Sequence, residues 1–259
     1  MAGNIYHVEV RNRSLTPAKA ELSLNVYIDA LSPMMEVRGR LMGPSCPFAS
    51  TVEVAYPLRR THDPLTLKVV IPEPSLWEPE SPFLYHGTVE LWEHSERCDQ
   101  ATVRHGLCTS SLTPRGLRWN GKPLPLRGRA VRGLTDETAL QLRGEGFNLL
   151  LAPLDEPQTW EIADRLGFVV IGTAGALDDN AVSQMRRLVG HPSLLGFLLD
   201  TPPTQSLPDD LVIGVRDAEV KGSAFVACPA IQATVAHGNL PVLVIGETKI
   251  TPPVMGCVL

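Results

Sequence analysis

Long hydrophobic runs are missing from this sequence, and so is any excess of one charge. The longest apolar stretches, Leu149 to Pro153 and Phe168 to Ile171, are far too short to span a bilayer. The 23 basic and 28 acidic residues are interspersed, leaving a net charge of −5 with no basic stripe. The sequence therefore predicts no nucleic-acid partner and no membrane partner. No charged segment followed by an apolar one stands behind Met1, so the expected location is the cytoplasm. Cysteine is scarce and odd in number, at positions 46, 98, 108, 228 and 257, with no CxxC pair. That pattern excludes a zinc-finger framework and favours reduced thiols, although a Cys98–Cys108 disulfide stays conceivable. Neither a metal nor an organic cofactor is implied. A P-loop is absent, the small stretch Gly172-Thr173-Ala174-Gly175-Ala176 having neither its spacing nor its lysine. Motifs for serine and cysteine nucleophiles are absent too.

What is present divides into two halves by period. Tyr6–Val10, Glu21–Tyr27, Glu36–Arg38, Thr51–Val54, Thr66–Val69 and Thr88–Leu91 place apolar side chains at every second position, as half-buried strands do. Breakers at Pro17, Pro33, Gly43-Pro44, Asp63-Pro64 and from Pro72 to Pro82 separate them. With Gln100–Leu107 added there are about seven strands, which predicts an immunoglobulin-like β-sandwich over residues 1–110.

After residue 110 the period changes. Thr135 reads as an N-cap, with Ala139, Leu140 and Leu142 at helical spacing until Gly144 and Gly146. Asn148–Ala152, Phe168–Ile171 and Leu194–Leu199 are short apolar runs of the kind buried on both faces. Helical stretches at Pro157–Leu166 and Asp178–Val189 alternate with them. Weaker units follow at Leu207–Val215, Ser223–Cys228, Ile231–His237 and Pro241–Ile245. The alternation predicts a parallel α/β domain over 111–259. A complete (β/α)8 barrel needs about 250 residues, so the barrel expected here is incomplete or reduced. Missing strands would leave open sheet edges, to be capped or paired in an oligomer.

Three segments resemble the family 2 glycoside hydrolases in order and spacing. Leu76-Trp77-Glu78-Pro79-Glu80-Ser81-Pro82-Phe83-Leu84-Tyr85 is similar to that family's approach to the penultimate sandwich strand. Its prolines force an extended corner, and Trp77 and Tyr85 are expected to be core packing. Asn120-Gly121-Lys122-Pro123-Leu124-Pro125-Leu126-Arg127-Gly128 resembles the hairpin that opens the catalytic barrel, with Asn-Gly as a type I′ turn. Gly190-His191-Pro192-Ser193-Leu194-Leu195 resembles the lead-in to the fourth barrel strand. Gly146-Phe147-Asn148 and Asp164-Arg165-Leu166-Gly167-Phe168-Val169-Val170 match the approaches to the second and third. The likeness covers roughly residues 1 to 200 and lacks the family's N-terminal sugar-binding jelly roll.

The resemblance implies O-glycosyl hydrolysis, which in a retaining enzyme needs two carboxyl groups about 5 to 5.5 Å apart. Its acid/base is the Glu of an Asn-Glu pair at the end of the fourth strand. Here that pair falls on Thr201-Pro202, and proline cannot donate a proton. Asp200 stands two positions early, and Glu247 closes Leu240–Gly246 as a loose match to the nucleophile. These two are the candidate catalytic residues. The remaining strand ends read Arg129-Ala130-Val131-Arg132, Leu151-Ala152-Pro153 and Gly172, without the family's polar sets. The expectation is therefore a family 2-like protein without hydrolytic activity, serving in carbohydrate binding or as a scaffold. The alternatives are an active glycosidase using Asp200 and Glu247, and a non-enzymatic module for a protein partner or a second copy.

Overall fold

A computed structural model describes residues 3–30, 32–113 and 116–201, together with four later strands. The chain forms two compact units, one of 1–77 with 81–107, the other of 108–259 with 78–80.

The first unit contains β1 (Ile5–Leu15), β2 (Lys19–Ile28), β3 (Met35–Ser45), β4 (Val54–Pro57), β5 (Arg59–Arg60), β6 (Thr66–Pro72), β7 (Leu84–Glu93) and β8 (Glu96–His105). They form two four-stranded antiparallel sheets, ordered β1-β2-β6-β5 and β4-β3-β7-β8. Alternation decides what each strand hides. In β2, Ala20, Leu22, Leu24 and Val26 are buried, and in β6 so are Leu67, Val69 and Ile71. Val37, Leu41, Val89, Leu91 and Val103 complete the core from the other sheet. Each fully buried side chain of this kind contributes about 1.5–3 kcal/mol.

The expected strand at Thr51–Val54 begins only at Val54, and the two-residue β5 was not anticipated. The edges β1 and β8 are tied together by side chains. The Ile5 N–H donates to Asp99 Oδ2 at 2.7 Å, and His105 Nε2 lies 3.0 Å from Asn12 Oδ1. Trp77 and Tyr85 are fully buried, and the Tyr85 hydroxyl accepts the Ser75 N–H at 3.0 Å. They are packing residues, as their corner motif suggested.

The second unit opens with β9 (Ser110–Thr113), β10 (Gly116–Trp119) and β11 (Lys122–Pro123). The β10–β11 turn has φ of 48° at Asn120 and 77° at Gly121, the two positive values that a type I′ turn requires. Next come β12 (Leu126–Ala130), α1 (Asp136–Gly144), β13 (Leu149–Pro153), α2 (Pro157–Leu166), β14 (Val169–Ala174), α3 (Asp179–Leu188) and β15 (Leu194–Leu199). The last strands are β16 (Ile213–Asp217), β17 (Ser223–Ala227), β18 (Val242–Ile245) and β19 (Val254–Val258). Neighbours from β12 to β16 pair in parallel. β17 runs antiparallel to both β16 and β18, and β19 pairs in parallel with β18 and β12.

These eight strands close on themselves. The open edges expected of a strand-poor barrel are therefore absent among the described strands, because hydrogen bonds between β19 and β12 complete the ring. Economy comes instead from connections: among the described residues, helices follow only β12, β13 and β14. The expected unit at Ile231–His237 lies outside the described residues.

Helix boundaries follow local chemistry. Thr135 Oγ1 accepts the Thr138 N–H and Asp178 Oδ1 accepts the Ala181 N–H, so both predicted starts carry a side-chain cap. Thr135→Ala should cost about 1 kcal/mol, read as a lower urea midpoint with unchanged slope. In α1, Ala139 and Leu142 are buried but Leu140 is exposed, contrary to its expected place on the packed face. Positions 139 and 142 are one helical turn apart, whereas 140 is rotated off that stripe.

Between helices and strands lies a core of Leu150, Ala152, Trp160, Ile162, Phe168, Val170, Met185, Phe197 and Leu199. The alternate residues Leu149, Leu151, Val169, Ile171 and Leu198 are also buried but lie outside that cluster. They face the other side of the sheet, the inside of the ring. No helix among the described residues is long and apolar enough to cross a membrane.

Candidate functional site

In barrels of parallel strands the chemistry sits at the carboxyl ends, so β12 to β15 define the face that matters. Arg127 and Arg129 of β12 are committed elsewhere. Their guanidinium groups lie 4.5 and 5.8 Å from the centroid of the Phe147 ring, and Arg127 Nη1 donates to the Glu145 carbonyl at 2.6 Å. β13 ends in buried Leu151, Ala152 and Pro153. At the end of β14, Thr173 Oγ1 donates to the Ala152 carbonyl at 3.3 Å. Gly172 leaves no room for a side chain there: an added Cβ would lie 2.7 Å from both Leu154 and Phe197.

Carboxylates in the loops beyond these strands are largely spoken for. Glu156 accepts the Gly133 N–H at 2.8 Å and the Thr159 hydroxyl at 2.9 Å, and Asp178 caps α3. Asp200 follows β15 and is exposed, its backbone N–H donating to the Ala174 carbonyl at 2.9 Å. Thr201 turns its hydroxyl to the Gly175 carbonyl at 2.8 Å. Glu247 lies outside the described residues, as does Pro202.

A cleft of about 290 Å³ is lined by Glu78, Pro79, Glu80, Trp119 and Lys122 to Pro125. Lys122 Nζ holds Glu78 at 3.0 and 3.2 Å, and Asn120 Nδ2 donates to it at 3.4 Å. Two motifs singled out separately in the sequence thus meet here, clamping one another.

A second meeting of motifs was not foreseen. His191 Nδ1 donates to Asp164 Oδ2 at 2.7 Å, and Asp164 Oδ1 accepts the Ser193 N–H at 3.2 Å. The His191 ring also lies against Trp160, centroids 5.6 Å apart. Burial disfavours the charged imidazolium, but the hydrogen bond and charge of Asp164, with Glu161 beyond, outweigh it and hold the His191 pKa above its ordinary value. Cys108 donates its thiol to the Pro192 carbonyl at 3.4 Å, and burial, helped by the Asp164 charge, pushes its pKa up to about 12. A thiol so protonated is a poor nucleophile. Cys46, Cys98 and Cys108 are free.

His191 and Ser193 precede β15 and Asp164 precedes β14, so this knot is at the amino end of the strands. There, polar groups serve stability rather than catalysis. The sequence carried both halves as lead-in motifs but gave no sign that one bonds the other. Among the described residues no group of three His, Cys, Asp or Glu side chains is arranged to hold a metal.

Residues 5–107 match the family model for glycosyl hydrolases family 2. Among solved structures, the chain is similar to the FMN-binding beta-glucuronidase from Facaelibacterium prausnitzii L2-6. Identity is 19% and TM-score 0.63, over 77% of this chain and 36% of that one. A beta-glycosidase from Bacteroides vulgatus matches at 18% identity and TM-score 0.60, over 80% and 31% of the two chains. The Bacteroides uniformis beta-glucuronidase matches at 18% and 0.60, over 76% and 29%. At such identities the likeness establishes fold alone, and this chain spans about a third of those structures' length.

Proposed function

We propose that this chain, whose residues 5–107 match the family model for glycosyl hydrolases family 2, binds carbohydrate without hydrolysing it. One observation carries the reading: Thr201-Pro202 stands where the resemblance puts the acid/base Asn-Glu pair. A proton must reach the leaving oxygen for the glycosidic bond to break, and a proline side chain holds none. The apolar or already-bonded ends of β12, β13 and β14 support the same reading. On it, the second unit is a reduced form of the (β/α)8 barrel, retained as architecture.

The exposed position of Asp200 favours a second reading, in which Asp200 and Glu247 take the acid and nucleophile roles from new places. Purified chain offered a panel of chromogenic β-glycosides separates the two. The expected result is no turnover, with saturable binding to a glycan array. Turnover lost on Asp200→Asn or Glu247→Gln would establish the second reading instead.

A further inference from the structure

The outward residues of the β1-β2-β6-β5 sheet are organised in rows by its register. His7 is opposite Tyr27, Glu9 opposite Asn25, and Arg11 opposite Ser23, while Ser23 is also opposite Lys68 and Lys68 opposite Arg59. The first row is aromatic. Tyr6 is 68% exposed and Tyr27 38%, with ring centroids 6.1 Å apart. The middle is a fixed polar network: Glu9 Oε2 accepts from Asn25 Nδ2 and from the Tyr27 hydroxyl, both at 3.2 Å.

The last row is cationic. Lys68 and Arg59 are direct cross-strand neighbours on one face, an arrangement that repels and costs stability. Arg13 joins the row, its Nε donating to Ser23 Oγ at 3.0 Å. Among the described residues none of these three cations has a carboxylate within ion-pair distance. Glu9 is taken by Arg11 at 2.7 Å and Glu21 by Lys19 at 2.6 Å, with the charge of Lys68 also acting on Glu21 from beyond ion-pair distance. Among the described residues Arg13 and Arg59 are left without a carboxylate of their own, so in a chain of net charge −5 this row is open to an anion from outside.

Aromatic rings exposed at one end and unpaired cations about 13 Å away along β2, four residues at strand rise, match one kind of occupant. We infer that this sheet face is a platform for an acidic glycan chain, whose sugar rings stack on Tyr6 and Tyr27 while its carboxylates meet Arg13, Lys68 and Arg59. Apolar ring faces of a sugar suit an aromatic surface, and guanidinium groups suit carboxylates. The inference rests on the carbohydrate-binding reading and gives it a place and a ligand class.

Affinity gel electrophoresis of the full chain tests it, with polygalacturonate, neutral galactan or polyglutamate cast in the gel. Polygalacturonate should retard the protein strongly and galactan weakly. The double variant Arg59→Gln with Lys68→Gln should weaken the retardation at least tenfold, and Tyr6→Ala with Tyr27→Ala likewise. All four side chains are at the surface, and the cation variant should melt no lower than the parent, since it removes a repulsion. Retardation equal in parent and variants would overturn the inference. So would polyglutamate acting as strongly as polygalacturonate, since the face would then read charge alone. Binding of neutral glycans without polygalacturonate would remove this site and leave the carbohydrate reading standing. Absence of all glycan binding would end both.

Discussion

Asp164→Ala should lower the stability of the second unit by about 3–5 kcal/mol, the usual cost of removing one partner from a buried ion pair. Asp164 is 8% exposed and His191 23%, so the surviving imidazole would be left in protein surroundings without its acceptor. The Ser193 N–H, at the start of a buried strand, would lose its acceptor as well. Calorimetric melting of the variant checks this, and a loss below about 1 kcal/mol would show the pair to be screened like a surface one.

The same pair gives stability a pH signature. His191 titrates higher in the folded chain than its ordinary 6.5, so the folded state binds its proton more tightly. The contribution is fully present below pH 6.5 and fades as pH rises through the folded value. Melting temperature should therefore fall on going up from about pH 6.5, and Asp164→Asn should flatten that slope. Cys108 acts in the same direction in a separate window, between its ordinary 9.0 and about 12, because the buried thiol resists ionisation that the unfolded chain allows.

Gly167→Ala should be of comparable size, about 3 kcal/mol or more. Gly167 ends α2 with φ of 76° and ψ of 47°, a left-handed conformation costing an L-residue about 1–2 kcal/mol. An added Cβ would lie 2.1 Å from the Pro79 carbonyl oxygen and 2.8 Å from Arg143 Nη1. Backbone on one side and a committed guanidinium on the other leave no cheap relief, adding about 1–3 kcal/mol of overpacking. Arg143 itself bonds the carbonyls of Pro79, Leu166 and Glu80, so displacing it strips acceptors of their donor. Gly175→Ala is the control: nothing lies within 4 Å of its Cβ position, and its melting temperature should match the parent's. Equal melting of both variants would mean that the Pro79 segment shifts freely.

Much of this was legible along the chain because it depends on neighbours in sequence. The period of two in β2 and β6, the Asn120-Gly121 turn and the Thr135 cap each need only a few adjacent residues to be recognised. Leu140 was misplaced for a related reason: spacing tells which residues share a stripe, but only packing tells where the stripe ends. β5 escaped because two arginines carry no period at all, and their pairing is supplied by β6.

In the sequence, the resemblance puts the family's Asn-Glu pair on Thr201-Pro202. That Pro202 cannot donate a proton follows from its covalent structure, and no fold can restore it. What Asp200 and Glu247 do depends on the distance between two residues far apart in the chain, which the order of residues does not carry.

From residue order alone came the two halves, their strand and helix periods, the family likeness and the Thr201-Pro202 pair, since each resides in local pattern or in side-chain chemistry. Tertiary structure alone decided that Asp164 belongs to His191, that Glu78 belongs to Lys122, that the later strands close the ring, and that Lys68 faces Arg59. Those are contacts between residues far apart in the chain, and their energies exist only once folding has paid the entropy of bringing them together.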